Sequence, residues 1–160
     1  MGLFSLFRPT FAVSPMTPSD ADAVALIHRS GFAHPWSARE IAEMVAAPTN
    51  FGDVAASADR RSVGGFILSS LAADEAEILA IAVAPRHRGR GIGAMLLRRN
   101  MARAGAAGAR QMFLEVDNGN LAAIALYRRF GFEHVGERKG YYRRPDGAPA
   151  AALIMRAPLG

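Results

Sequence analysis

The chain has 160 residues, 51% hydrophobic and 21% charged, a balance that fits one folded domain with a substantial core and excludes a disordered chain. Its net charge of +5 is carried almost wholly by arginine, Lys139 being the only lysine, and suits an anionic small ligand or an RNA or ribosomal surface. Cysteine is absent, which excludes disulfides, thiolate zinc sites and a cysteine nucleophile.

The opening Met1–Pro9 stretch is apolar but too short for a signal peptide, so residues 1–10 read as a loose leader before a single domain over residues 11–160. No apolar run approaches the roughly eighteen residues of a membrane span, and a cytoplasmic protein is expected. Phe11 to Met16 reads as a short first strand. Thr17-Pro18-Ser19-Asp20 is a helix-start cluster, and Ala21, Val24, Ala25, Ile27 and His28 give the helical spacing of a first helix that stops near Gly31. Ser37-x-x-Glu40 is a capping box for a second helix through Val45, broken by Pro48-Thr49-Asn50. Phe51 to Ser57 and Ser62 to Leu71 read as strands around a polar turn, with a bend suggested at Gly64-Gly65.

Glu75 to Val83 is the fourth strand. A helix from Ile92 towards Arg103 follows it, with Ile92, Met95, Leu96 and Met101 on its apolar face. Gln111 to Val116 is a fifth strand, and Asn120 is placed to cap a last helix, Leu121 to Phe130, closed by Gly131. His134 to Tyr142 and Ala151 to Met155 complete about seven strands and about four helices in one α/β domain.

Between the fourth strand and its helix lies Arg86-His87-Arg88-Gly89-Arg90-Gly91-Ile92-Gly93. Strand, glycine-rich turn and helix in that order make an anion site. Glycines let successive N–H groups turn inward, and the helix start adds unpaired N–H groups and the positive end of its dipole. No Gly-Lys-Ser/Thr closes the turn, so it is not the P-loop nucleotide pattern. The glycine spacing, with no acid about twenty residues on, does not fit dinucleotide binding either.

Arg88-Gly89-Arg90-Gly91-Ile92-Gly93 fits Arg/Gln-x-x-Gly-x-Gly/Ala and resembles the pyrophosphate loop of the GNAT superfamily of N-acetyltransferases. Leu114-Glu115-Val116 and Asn120-x-x-Ala-x-x-Leu-Tyr127-x-x-x-Gly131-Phe132 follow at that family's spacing. Within it the chain is similar to the RimI-type ribosomal-protein-alanine N-acetyltransferases, through Phe32-Ala-His-Pro-Trp36-Ser37, Ala122 to Tyr127, and Tyr141-Tyr142 followed by Asp146-Gly147. The resemblance implies a mixed central sheet and transfer of acetyl from acetyl-CoA to the α-amine of a protein N-terminus, a small-subunit ribosomal protein in the type member. One departure stands out: Ala148-Pro149-Ala150-Ala151 occupies the stretch where that type usually has an acidic pair.

The resemblance also implies roles. Backbone N–H groups of Arg88, Gly89, Arg90, Gly91, Ile92 and Gly93 hold the pyrophosphate, and Ile81, Ala82 and Val83 place the thioester, with a strand bulge there freeing a donor for the oxyanion. Glu115 is the candidate general base, the competing reading being a surface glutamate paired with an arginine. Tyr127 is the candidate general acid towards the CoA thiolate, the competing reading being a packed core tyrosine. Asn120 bonds the cofactor arm or serves only as a helix cap. Trp36 is a packing anchor or a wall of the acceptor site, and of the neighbours Tyr141 and Tyr142 at most one faces the acceptor groove.

His28, His34, His87 and His134 offer no metal pair, so no metal is expected; His87 is placed to assist the phosphate site. An α-amine is about one-tenth neutral at pH 7 and a lysine well under one-thousandth, which favours an N-terminal acceptor for a single carboxylate base. Lysine or a small amine remains open as acceptor. So does a non-catalytic module on RNA or the ribosome, against which intact Glu115 and Tyr127 argue. Neither nucleic acid nor membrane is required, and a monomer or weak homodimer is expected.

Overall fold

The computed structural model describes residues 9–143 and 149–160, with backbone alone at 140–143 and 149. Its strands are β1 (Ala12–Pro15), β2 (Asn50–Ala56), β3 (Val63–Ala72), β4 (Glu75–Val83), β5 (Gln111–Asp117), β6 (Glu133–Arg143) and β7 (Pro149–Pro158). The helices are α1 (Ala21–Gly31), α2 (Ala38–Ala46), α3 (Ile92–Ala106) and α4 (Leu121–Arg129). The strands form one sheet in the order β1-β2-β3-β4-β5-β7-β6. It is mixed: β4 and β5 run parallel, while β7 is antiparallel to both its neighbours. Of the leader, residues 1–8 lie outside the described residues, and Pro9 is tied by its carbonyl to Arg90.

One compact unit comprises the residues through Ser69 together with Ala80–Asn100. In it α1 buries Ala21, Val24, Ala25, Ile27 and His28, the spacing read from the sequence. α2 opens on the expected box, with the Glu40 N–H donating to Ser37 Oγ (3.1 Å) and the Ser37 N–H to Glu40 Oε2 (2.7 Å). Both helices pack on a core that includes Val54, Ala56 and Phe66. Side chains alternate along a strand, so Gly65 faces the other way from Phe66.

β3 continues unbroken through the Gly64-Gly65 pair. A Cβ at Gly65 would sit 2.9 Å from the Ala82 carbonyl oxygen and 3.1 Å from both Ile92 and Leu96; one at Gly64 would sit 3.0 Å from the Phe11 ring. Close packing requires the glycines. The inward face of α3 also differs from expectation. Ile92, Leu96, Leu97 and Asn100 are buried, while Met95 is only partly so.

The second unit comprises Ser70–Leu79 and Met101–Gly160. It buries Ala104 of α3 and leaves Met101 partly exposed. β5 alternates, with Met112, Leu114 and Val116 buried and Glu115 exposed. β7 is longer than the Ala151–Met155 strand expected. It lies inside the sheet, paired from Gln111↔Pro158 to Asp117↔Ala152 on one side and with β6 on the other, and ladder bonds on both edges carry it past the polar Arg156. α4 ends as its sequence dictates. Gly131 takes φ +89°, the Phe132 N–H donates to the Tyr127 carbonyl (3.1 Å) and the Gly131 N–H to that of Arg128 (3.1 Å). The Tyr127 and Phe132 rings then meet at 5.8 Å, completing a Schellman cap with its apolar contact.

Candidate active site

β4 ends at Val83 and the chain turns through a short 3-10 turn at Pro85–His87. Gly89 and Gly91 then adopt φ +76° and +78°. Nothing lies within 4 Å of a Cβ at either position, so left-handed backbone, not crowding, selects glycine there. The first helical bond of α3 runs from the Met95 N–H to the Gly91 carbonyl (3.1 Å). The N–H groups of Ile92, Gly93 and Ala94 therefore have no partner within the helix. A left-handed double-glycine turn leading into a helix N-terminus fits a pyrophosphate, with donors drawn from the backbone.

The arginine side chains of this loop are engaged elsewhere. Arg88 Nε donates to the Val83 carbonyl (3.3 Å), and Arg90 to the Pro9 carbonyl (2.9 Å). His87 is buried beneath them, and burial together with the charges of Arg86 and Arg90 holds it below the ordinary histidine range. Ile81, Ala82 and Val83 are half-buried at the end of β4.

In the second unit Glu115 is half-exposed and ion-paired with Arg138 at 3.0 Å. A bulge makes the pair. Between His134 and Gly136 one extra residue, Val135, enters β6. Gly136 then lies across Ile154 from Glu115, and Arg138, two residues on, points to the same face. Without the bulge that face would carry Glu137.

Tyr127 is buried, and burial pushes its hydroxyl up to about 12. The Asn120 side chain caps α4, accepting from the Ala123 N–H at 3.2 Å. Tyr141 and Tyr142 lie in β6 with side chains outside the described residues, and Ala148 is outside them as well.

Trp36 is packed against α1. Its ring stacks on His28 at 4.4 Å, and Phe32 stacks on the same imidazole at 4.1 Å. Two rings this close and nearly parallel to a third must lie on its opposite faces, so His28 is the middle of a three-ring stack. Its Nδ1 accepts from the Trp36 backbone N–H (3.1 Å), which puts the proton on Nε2. Burial lowers its pKa.

Three features escaped the sequence. Arg138 carried no signal, since its facing depends on the bulge. The tie from Arg90 to Pro9 joins residues 81 apart in sequence. A buried network runs from Ser69 Oγ to Asn100 Oδ1 (2.6 Å) and from Asn100 Nδ2 to Asp53 Oδ2 (3.0 Å). Asn100 had a readable signal, being a polar residue four positions after Leu96 on the apolar stripe. Among the described residues no group of three His, Asp or Glu side chains is placed to hold a metal ion, and no helix is long and apolar enough to cross a membrane.

A mixed sheet whose fourth strand feeds a glycine-rich loop and a helix N-terminus, with an acid on the fifth strand and a tyrosine on the last helix, defines a class. The chain belongs to the acetyltransferase (GNAT) family, whose model matches residues 18–132. It is an acetyl-CoA-dependent N-acetyltransferase. It is similar to the [ribosomal protein bS18]-alanine N-acetyltransferase of Salmonella typhimurium, 32% identical over 154 residues that cover 92% of this chain and 97% of that one. The N-alpha-acetyltransferase RimI of Mycobacterium tuberculosis is 36% identical over 148 residues, covering 88% and 89%. The crystal structure of the ribosomal-protein-S18-alanine N-acetyltransferase from Escherichia coli superposes with a TM-score of 0.84 at 29% identity, covering 94% of each chain.

Proposed function

We propose that the chain acetylates the N-terminal α-amine of a protein, and that its acceptor is ribosomal protein bS18 beginning with alanine. The observation that carries this reading is likeness over 92% of the chain to enzymes whose names give that alanine as acceptor. A single carboxylate base, Glu115, supports it, because an α-amine needs less help to shed its proton than a lysine.

Acetyl-CoA, when bound, supplies the acetyl group as a thioester. The backbone N–H groups of Arg88 to Gly93 hold its pyrophosphate, Ile81, Ala82 and Val83 its acyl end, and Asn120 the cofactor arm. Glu115 takes the proton that the acceptor ammonium must lose, directly or through a water. Arg138 holds the same carboxylate, so the acceptor shares or displaces that ion pair on arrival. Tyr127, kept protonated by burial, gives its proton to the departing thiolate. Trp36 and one of Tyr141 and Tyr142 line the acceptor site. The absence of an acidic pair at Ala148–Ala151 leaves the amine's recognition to other groups.

The test is acetyl transfer to a peptide panel: an alanine-first peptide with the bS18 N-terminus, the same peptide with other first residues, and an N-blocked lysine peptide. The alanine-first peptide is expected to react at least about tenfold faster than the lysine peptide, in keeping with the difference in neutral amine. Equal rates on the blocked lysine peptide would overturn the reading.

A further inference from the structure

Arg90 lies between two glycines of positive φ, in the most conformationally costly part of the anion loop. Its side chain, though exposed, is held against the N-terminal segment. NH2 donates to the Pro9 carbonyl (2.9 Å), NH1 lies 3.1 Å from His87 Nδ1, and the guanidinium carbon sits 5.4 Å from the centre of the Phe11 ring. Phe11 is itself wedged in place. Its ring meets His87 edge-on at 4.8 Å and lies where a Cβ on Gly64 would come within 3.0 Å. Gly64 in turn accepts the Ala84 N–H at 2.8 Å, at the point where the chain leaves β4. His87 completes the ring of contacts, with Arg86 Nε 3.2 Å from its Nε2. Guanidinium groups only donate and a neutral imidazole accepts at one nitrogen at a time, so this histidine serves one arginine or the other.

We propose that Arg90 is a positioning residue that ties the pyrophosphate loop to the Pro9–Phe11 segment, so that the anion site is formed before the cofactor arrives. This rests on the reading of residues 88–93 as the acetyl-CoA loop. A loop containing Gly89 and Gly91 loses much backbone freedom on ordering, and the tie removes that cost from binding. The fork of the guanidinium is essential, since one group reaches a carbonyl and an imidazole while lying against an aromatic ring; a lysine ammonium cannot do all three.

The experiment measures acetyl-CoA binding by calorimetry and steady-state kinetics for the wild type, Arg90→Ala, Arg90→Lys, Phe11→Leu and the double variant Arg90→Ala/Phe11→Leu. Arg90→Ala is expected to raise Kd and KM for acetyl-CoA about tenfold, with kcat at saturation within about twofold. Arg90→Lys should behave like Arg90→Ala. Phe11→Leu should give a smaller rise, and the double variant should match Arg90→Ala, because both act through one tie. Amide exchange in the ligand-free protein should quicken at Gly89–Gly93 in these variants and not in α2.

Three results would overturn the proposal: wild-type affinity in Arg90→Lys, which would make the charge itself the phosphate ligand; multiplying effects in the double variant; or unchanged Kd in Arg90→Ala. Should Arg90→Ala fail to fold, Arg90→Lys and Phe11→Leu decide. Wild-type protein that binds no acetyl-CoA would remove the reading of the loop itself, a result distinct from wild-type binding that the variants leave intact.

Discussion

Glu115 and Tyr127 sit in opposite surroundings, one half-exposed and ion-paired, the other buried. Glu115 is half-exposed beside Arg138. Such a pair contributes only about 0–1 kcal/mol, little enough for an arriving amine to exchange it. Glu115→Gln keeps the shape and removes the proton acceptor. It should slow transfer about a hundredfold or more while acetyl-CoA binding is kept, and unchanged turnover would end the base assignment. Tyr127 must hold its proton to act as an acid, and burial ensures this well past neutral pH. Tyr127→Phe should lower kcat more than acetyl-CoA affinity. Its raised pKa has a stability consequence of fixed sign. The contribution of the buried neutral phenol is whole below the unfolded value near 10 and is lost as pH rises towards about 12. Denaturant melts should therefore show the wild type losing more stability than Tyr127→Phe between about pH 10 and 12, and parallel losses would contradict the assignment.

Elements turn these residues to use through small irregularities. The extra residue Val135 in β6 brings a cation rather than Glu137 to the face of Glu115, and no propensity in the sequence announces it. The glycines of β3 act by clearance. Gly65→Ala would press a methyl on the Ala82 carbonyl oxygen at 2.9 Å, where neither strand gives way cheaply, and on Ile92 at the start of α3. It should destabilise by about 1–3 kcal/mol. Gly105→Ala lies in α3 with nothing nearer than Leu159 Cβ at 4.0 Å and should stabilise by roughly 0.5–1 kcal/mol. Chemical denaturation of the two variants checks the contrast, and a neutral Gly65→Ala would show that β3 and β4 can part without cost.

At the scale of the whole molecule, a cofactor that binds only the folded chain must stabilise it. At one hundred times its dissociation constant acetyl-CoA contributes about 2.7 kcal/mol, which for a chain of this length raises the melting temperature by roughly 5–10 °C. No shift at millimolar acetyl-CoA would contradict the cofactor assignment. The capping box at Ser37 and Glu40, the Asn120 cap, the Gly131 terminus and the glycine loop were all legible in the sequence. Each is settled by a few adjacent residues whose backbone preference leaves one sensible conformation. The family motifs were legible for the same reason. The length and interior position of β7, the bulge at Val135, the Asn100 network and the tie from Arg90 to Pro9 were not. They join segments tens of residues apart, where local preference is weak and packing and hydrogen bonding decide. The sequence by itself thus determined how the helices are capped and that a strand, a left-handed glycine turn and a helix N-terminus follow one another. The tertiary structure alone decided which charge stands beside Glu115 and that Arg90 reaches Pro9, because both depend on strand register and on contacts between distant residues.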